Sequence, residues 1–428
     1  MRVLISGAGV AGPTLAWFLA RTGAQVTIVE KSSSILPHGQ NIDIKDSSLT
    51  IINKMGLMDE IRRFNTTEQG TRFIGPSGQP FAPFPVKEGH MCSPSSEFEI
   101  LRADLAKVLY NATKDHANIQ YLFGTAVSKV ISNNDKGVRV ELCNGEVHDF
   151  GLLVAADGQW SKLRKQCFDA DQVKVVPQGM YAVYYTIPRL PSDDNWWNVY
   201  VAPQSRIITL RPDPYGTTRA MFTLVPRTKA QAEAWKEAAR GGRRAQQELV
   251  KLEFAGAGWQ AERLLDNMGQ ADDFYFHVIE QIQMTKWSNS RIVCLGDAAY
   301  APTPLTGMGT SLAIIGAYLL AGELSKLGKG EHPDKALQAY EGIFRPYVEE
   351  SQKIMPIFPG IAHPEGPLGR RLLNGLVWTI SKVVTIPWLA NRSVNKDIKG
   401  DNFPWPEYEA FDESSTRRTA SALPLHTQ

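Results

Sequence analysis

Cysteine is scarce in this chain of 428 residues. The four, Cys92, Cys143, Cys167 and Cys294, stand far apart with no Cys-x-x-Cys pair, which excludes a thiolate zinc site and a disulfide framework. A reducing compartment, and so a cytoplasmic protein, is the expectation. The eight histidines are scattered as widely, with no His-Glu-x-x-His spacing, and no metal is expected. A Gly-x-Ser-x-Gly elbow is missing too, which removes that class of serine hydrolase. Charge of one sign is lacking: 46 Lys and Arg against 44 Asp and Glu leave +2, and the densest basic run, Arg240 to Arg244, is short. No nucleic-acid partner is expected. The one long apolar run, residues 372–390, is interrupted by Asn374, Ser381, Lys382 and Pro387 and falls short of a membrane span. It reads as a helix packed on the body in preference to one lying on a membrane surface. The chain opens on a strand-like Arg2 to Ser6, which leaves no room for a signal peptide.

What is present is α/β patterning with a change of character midway. Arg2 to Ser6 and Gln25 to Val29 read as strands around a helix at Leu15 to Thr22, a βαβ unit. Leu101 to His116 reads as helix, and Leu152 to Ala156 as a buried strand. From Met180 to Pro226 the pattern becomes successive aromatic-rich strands, read as an antiparallel sheet inserted into the α/β body. Helical segments follow over Lys229 to Phe254, and the chain returns to the body through a strand at Arg291 to Leu295. The tail from Asn402 is rich in Pro, Ser, Thr and charge, and reads as irregular.

Three loops carry chemistry. Gly7-Ala-Gly9-Val-Ala11-Gly12 is Gly-x-Gly-x-x-Gly between a strand and a helix. Its glycines serve a tight turn, close approach of backbone to a pyrophosphate, and helix–sheet packing, while the helix N-terminus favours negative charge. Glu30 ends the next strand, where a carboxylate accepts from ribose hydroxyls; that alone leaves FAD and NAD undecided. Gly256-Ala-Gly258-Trp-Gln-Ala261 looks like a second glycine loop but follows a helical segment, so there is one dinucleotide fold and no separate nicotinamide domain. The second loop is Asp157-Gly158-Gln-Trp-Ser161-Lys-Leu-Arg164. The third, Gly296-Asp297-Ala-Ala, runs through Pro302, Pro304, Gly307 and Gly309 into a long apolar helix from about Thr310.

These three motifs, in this order over about residues 1–327, resemble the group A flavoprotein monooxygenases, whose prototype is para-hydroxybenzoate hydroxylase and whose relatives include tetracycline-inactivating and salicylate-hydroxylase-like enzymes. The resemblance implies an α/β fold in which a Rossmann-like FAD-binding domain, discontinuous over 1–70, 101–178 and 275–330, carries a β-rich substrate domain at 71–100 and 179–274. A C-terminal helical region at 331–401 and an irregular tail at 402–428 complete the expected order. It implies non-covalent FAD, with Gly9, Ala11, Gly12, Glu30 and Lys31 at its ADP half, Arg102 as an anchor, Asp157 and Gly158 of the Asp-Gly motif, and Asp297 at the pyrophosphate and ribityl region. Pro304, Gly307 and Gly309 would seat the isoalloxazine ring, with the following helix start aimed at its pyrimidine edge. The implied activity is that of an NADPH- or NADH-using monooxygenase. It would insert one oxygen atom, by hydroxylation or epoxidation through a flavin hydroperoxide, into an aromatic or polycyclic small molecule of secondary metabolism. A flavin dehydrogenase or reductase, or a flavin-binding protein without activity, would share the same motifs.

Substrate contacts are expected from Asn41 and Asp43, in a loop beside the flavin, from Tyr185, Arg206 and Arg219 of the β-rich region, and from Pro304. Tyr184, Trp196, Trp197, Tyr200 and Phe222 belong to the same pool, of which alternation turns about half inward. No residue is assigned as a catalytic base.

Overall fold

A computed structural model describes residues 1–36, 39–45, 47–86, 98–355, 358–384 and 405–411. Six strands form the central sheet in the order Ser288–Asn289, Ile292–Cys294, Leu152–Ala155, Arg2–Ser6, Gln25–Glu30, Ile119–Phe123. All neighbours are parallel except the short first pair. Helices cover such a sheet on its faces, so its strands read as unbroken apolar runs: Val3, Leu4 and Ile5 and all of Leu152–Ala155 are fully buried. The nucleotide-loop helix is Ala11–Arg21, beginning four residues earlier than its apolar pattern suggests because the glycine loop enters it directly.

The helix Gly309–Ser325 is buried on every side from Ser311 to Leu324. Two glycines make that packing feasible, since a Cβ at Gly316 would lie 2.1 Å from the Tyr300 hydroxyl and one at Gly322 at 2.1 Å from the Tyr408 ring. Tyr408 belongs to a short C-terminal stretch that returns to the body and donates its hydroxyl to the buried Glu323, 2.8 Å away. Residues 402–404 and 412–428 of the expected irregular tail lie outside the described residues.

The inserted sheet has seven strands in the order Tyr275–Met284, Val173–Pro188, Thr217–Leu224, Arg206–Pro212, Trp197–Ala202, Gly70–Ile74, Pro80–Pro85. The expected antiparallel pairing holds except where Trp197–Ala202 meets Gly70–Ile74 in parallel. Its outer face packs on three helices, Lys229–Arg240, Arg243–Phe254 and Ala261–Met268, the first two separated by Gly241 and Gly242. Trp235, Phe254 and Leu264 are buried there, each stabilising the layer by about 1.5–3 kcal/mol. Gly256 and Gly258 follow the second of these helices, as the sequence pattern predicts. The inner face looks towards the parallel sheet's loops. Near its edge the helix Pro367–Val384 packs one side against Pro80–Pro85 and leaves Leu368, Leu372 and Leu376 exposed. Residues 385–390 of the apolar run lie outside the described residues, and among those described no helix is long and apolar enough to cross a membrane.

Gly322→Ala should push the Tyr408 ring off the central helix and cost about 1–3 kcal/mol. A lowered thermal midpoint, with Tyr408→Ala adding little further loss in the double variant, is the expected reading; full additivity would show that the two positions do not touch in solution.

Candidate active site

The three motifs meet at the C-terminal ends of the parallel strands. Gly7, at φ +115°, lies so close to the second loop that a Cβ would come within 2.4 Å of the Ala156 carbonyl oxygen. At Gly12 a Cβ would collide with the Gly7 carbonyl at 2.1 Å, whereas at Gly9 it would meet nothing within 4 Å. Gly7 and Gly12 therefore shape the loop, and Gly9 faces open space in front of the helix start, as a pyrophosphate-approaching residue must. Ala11 packs beneath Gly296. The Glu30 carboxylate accepts from the backbone N–H groups of Ala8 at 2.9 Å and Ser32 at 3.0 Å, which fixes it beside the loop; Lys31 follows at the surface.

Asp157 braces a helix start whose N-cap is Ser161, the Ser161 hydroxyl accepting from the Arg164 N–H at 2.9 Å. The Asp157 oxygens accept from the Ser161 hydroxyl at 2.5 Å and the Lys162 N–H at 2.9 Å, opening the helix Lys162–Cys167, with Gly158 at φ +82° making the turn. Arg164 is only 2 % exposed and donates to the carbonyls of Ala298 and Gln159, each at 2.7 Å. It thereby ties the second loop to the third. Gln159 in turn meets His277 Nε2 at 3.1 Å and donates to the Glu280 carbonyl on the inserted sheet.

In the third loop Thr303 holds φ +85°, a strained value for a residue with a Cβ, just before Pro304. Gly307 takes φ +64°, and its Cβ position lies 3.7 Å from Lys45 Nζ. Helix Gly309–Ser325 then begins with no side-chain cap and no acid in its first turn, so its N–H groups and positive end are directed at the loop. Asp297 lies close by, its Oδ1 3.7 Å from the Gly309 Cβ position. Burial raises its pKa, opposed by the charge of Arg102. Arg102 opens the helix Arg102–Asn111, and its charge is also felt by Tyr275 and His277. Desolvation, with Arg102, pushes His277 down to about 4, so this ring is neutral at physiological pH.

The inner face of the sheet presents Tyr184, Arg211, Arg219, Tyr275 and His277. Tyr185 and Arg206 are turned the other way, which corrects the expectation for both. Tyr185 donates its hydroxyl to the Leu264 carbonyl at 2.9 Å, and Arg206 donates to the carbonyls of Pro203 and Glu253. Both serve the outer helical layer. Arg219 does face inward but is held by Asp213 at 3.1 Å and Asp273 at 3.0 Å. Asn41 donates to Glu99 at 2.8 Å and to the Pro212 carbonyl at 3.3 Å, bridging the flavin-side strand Asn41–Asp43 to the sheet. Asp43 lies 3.9 Å from Lys45. Sequence reasoning missed Glu68, Glu99 and Arg211, which form one buried cluster, because nothing in a linear pattern joins residues so far apart. A separate groove of about 960 Å³, beside Arg2, Gly151 and Arg291, lies at the far end of the parallel strands, away from all three motifs.

This geometry has known counterparts. The profile of a family described as FAD binding domain matches residues 1–353. Monooxygenase CTB7 of Cercospora beticola is 35% identical over 366 residues, covering 82% of this chain and 85% of that protein. The chain belongs to this family of FAD-dependent monooxygenases. FAD-dependent monooxygenase asL6 of Sarocladium schorii is 32% identical, with 96% and 99% of the two chains covered. Among solved structures, tetracycline destructase Tet(55) superposes with a TM-score of 0.74 at 27% identity, over 95% of this chain and 98% of that one.

Two predictions follow from the loops and the buried rings. Gly9→Val should leave the thermal midpoint of FAD-free protein unchanged but lower FAD affinity at least about tenfold, or about 1.4 kcal/mol, whereas Gly12→Ala should damage the fold itself. Equal loss of fold in both would remove the distinction. His277 and His363 are both buried with pKa values lowered to about 4 from 6.5. Their neutral forms are favoured by folding, so this stability is complete above pH 6.5 and lost as pH falls through 4. His363→Gln should lose less stability than the native chain between those limits in thermal unfolding.

Proposed function

We propose that the enzyme takes electrons from NADPH or NADH and inserts one atom of molecular oxygen into an aromatic or polycyclic small molecule, of the kind made in secondary metabolism. The observation that carries this reading is the meeting of Arg102, Asp297 and the uncapped start of Gly309–Ser325 opposite an aromatic-bearing sheet face. In this reading residues 1–70, 101–178 and 275–330 hold the cofactor, 71–100 and 179–274 the substrate, and 331–401 are the C-terminal helical region, of which 385–401 lie outside the described residues.

The residues present suit FAD. Gly9 leaves room at the helix start, Glu30 at the end of the second strand would accept from ribose hydroxyls, and Arg102 would balance the negative charge of phosphate and reduced ring. The positive end of helix Gly309–Ser325 would favour the ring's polar edge, and Gly307 would let the loop pass close to it without a side chain. FAD, when bound, supplies the two-electron and oxygen chemistry. The protein's own part is to hold the ring in place, keep water away and orient the substrate against the sheet. Burial raises the Asp297 pKa and the charge of Arg102 opposes that rise, so the two groups act on the same region. His277, neutral and buried, adds no competing charge. Among the described residues Cys143, Cys167 and Cys294 are free, which fits a cytoplasmic setting.

The test is anaerobic reduction of the flavin-loaded enzyme by NADPH and by NADH, followed by ¹⁸O₂ and mass analysis of products from aromatic and polycyclic compounds. One labelled oxygen atom in a product supports the proposal. Product without label would assign the enzyme to the flavin dehydrogenases. Arg102→Ala should weaken retention of FAD on gel filtration while leaving the fold intact.

A further inference from the structure

The inner face of the inserted sheet can be read row by row, because directly opposed residues in an antiparallel pair share a face. One row runs Tyr275, Tyr184, Met221, Thr209, Val199 and Phe73. It contains no charge. The row beside it contains Thr186, Arg219 and Arg211, with the Arg211 guanidinium stacked 4.1 Å over the ring of Trp197.

Two arginines directly opposed would repel each other unless neutralised. Here each is neutralised. Arg211 donates to Glu68 at 2.8 and 3.1 Å and also to Glu99, while Arg219 donates to Asp213 and Asp273. All four carboxylate side chains are at most 9 % exposed. Four carboxyl groups face two guanidinium groups, and although burial pushes the Glu99 pKa up to about 7, the other three keep this row without spare positive charge for an incoming anion. Its carboxylates would repel one. Asn41 and Thr66, which also donate to Glu99, hold the arrangement in place.

Neutral polar atoms on the same face are treated differently, and besides His277 Nδ1 two of them lie further along the sheet. The Thr209 hydroxyl and the Trp197 indole N–H are buried and have no hydrogen-bond partner. Thr209 is 1 % exposed. Leaving such atoms unpaired opposes folding, and their pairing with a ligand would recover that loss. An indole N–H donates to a carbonyl or hydroxyl oxygen, and a threonine hydroxyl can do either.

The geometry points to an uncharged substrate: a planar ring system bearing hydroxyl or carbonyl groups and no carboxylate, received against the sheet by Thr209 and Trp197 and ignored by Arg211 and Arg219. This rests on the proposed function and adds the substrate's charge and the residues that select it. Thr209 and Trp197 are specificity residues for that class. The paired arginines and carboxylates are the feature that rejects acids.

The test uses FAD-loaded enzyme and a matched pair of probes, 1-hydroxy-2-naphthamide and 1-hydroxy-2-naphthoate, titrated against the visible flavin spectrum. The amide should perturb the spectrum with at least about tenfold tighter binding than the acid. Replacing the carboxylates in Glu68→Gln/Glu99→Gln should free Arg211 and narrow or invert that preference. Thr209→Val should weaken the amide several-fold while its thermal midpoint stays level or rises, since an unpaired hydroxyl is exchanged for a methyl of similar shape; a purely structural threonine would give a fall instead. Tighter binding of the naphthoate by the native enzyme, a spectrum that neither probe disturbs, or a Thr209→Val variant that loses stability but not affinity would overturn the inference. None of these touches the monooxygenase reading, which fails separately if no labelled oxygen is inserted into any product.

Discussion

One buried guanidinium holds the flavin end of the molecule together. Arg164 has carbonyl oxygens, not carboxylates, as its hydrogen-bond acceptors, and burial lowers its pKa. The two carbonyls it grips, Ala298 and Gln159, belong to loops that approach from different strands of the parallel sheet. Burying a charge in this way is costly without full pairing, so the two loops are held where that guanidinium can use both. Gln159 carries the connection onward to His277 and the Glu280 carbonyl of the inserted sheet. The inserted sheet is thereby referenced to the third loop, through one arginine and one glutamine.

The same economy explains where the backbone is strained. Thr303, at φ +85°, sits between Pro302 and Pro304 and is followed by Gly307 at φ +64°. A loop with those restrictions has few alternatives, and the helix beyond it is buried on all sides and cannot shift to relieve it. Small residues allow that burial: Gly316 accommodates Tyr300, and Gly322 accommodates Tyr408 from the far end of the chain. Packing behind the loop thus sets its position in front of the sheet, and the strain stays at the place where a ligand can use it.

Much of this was legible in the sequence because it is written locally. Glycines at fixed spacing between a strand and a helix dictate a loop whatever the rest of the chain does, and the decoy at Gly256 to Ala261 failed for the same local reason, its preceding helix. The parallel sheet was legible from unbroken apolar runs. The facing of the inserted sheet was not. In a strand flanked by packed layers on both sides, Tyr184 and Tyr185 look alike, and so do Arg206 and Arg211. Only the register, together with the helices from 229 to 268, shows that Tyr185 and Arg206 belong to the outer layer. The Glu68, Glu99 and Arg211 cluster joins three segments remote in sequence, and no spacing rule reaches it.

Positive charge is distributed with the same selectivity. Arg164 is spent on carbonyls, Arg211 and Arg219 on carboxylates, and Lys45 lies beside Asp43. What remains directed at the cofactor position is Arg102, tempered by a carboxyl whose own pKa is raised, and the open end of the helix Gly309–Ser325. A field falls off with distance and is strongest where water is excluded. The open helix end, and the matching of the inner-face arginines Arg211 and Arg219 with carboxylates, give two neighbouring environments of opposite character. One favours the electrons arriving on a flavin. The other lets a neutral ring lie close by without paying for the burial of a charge.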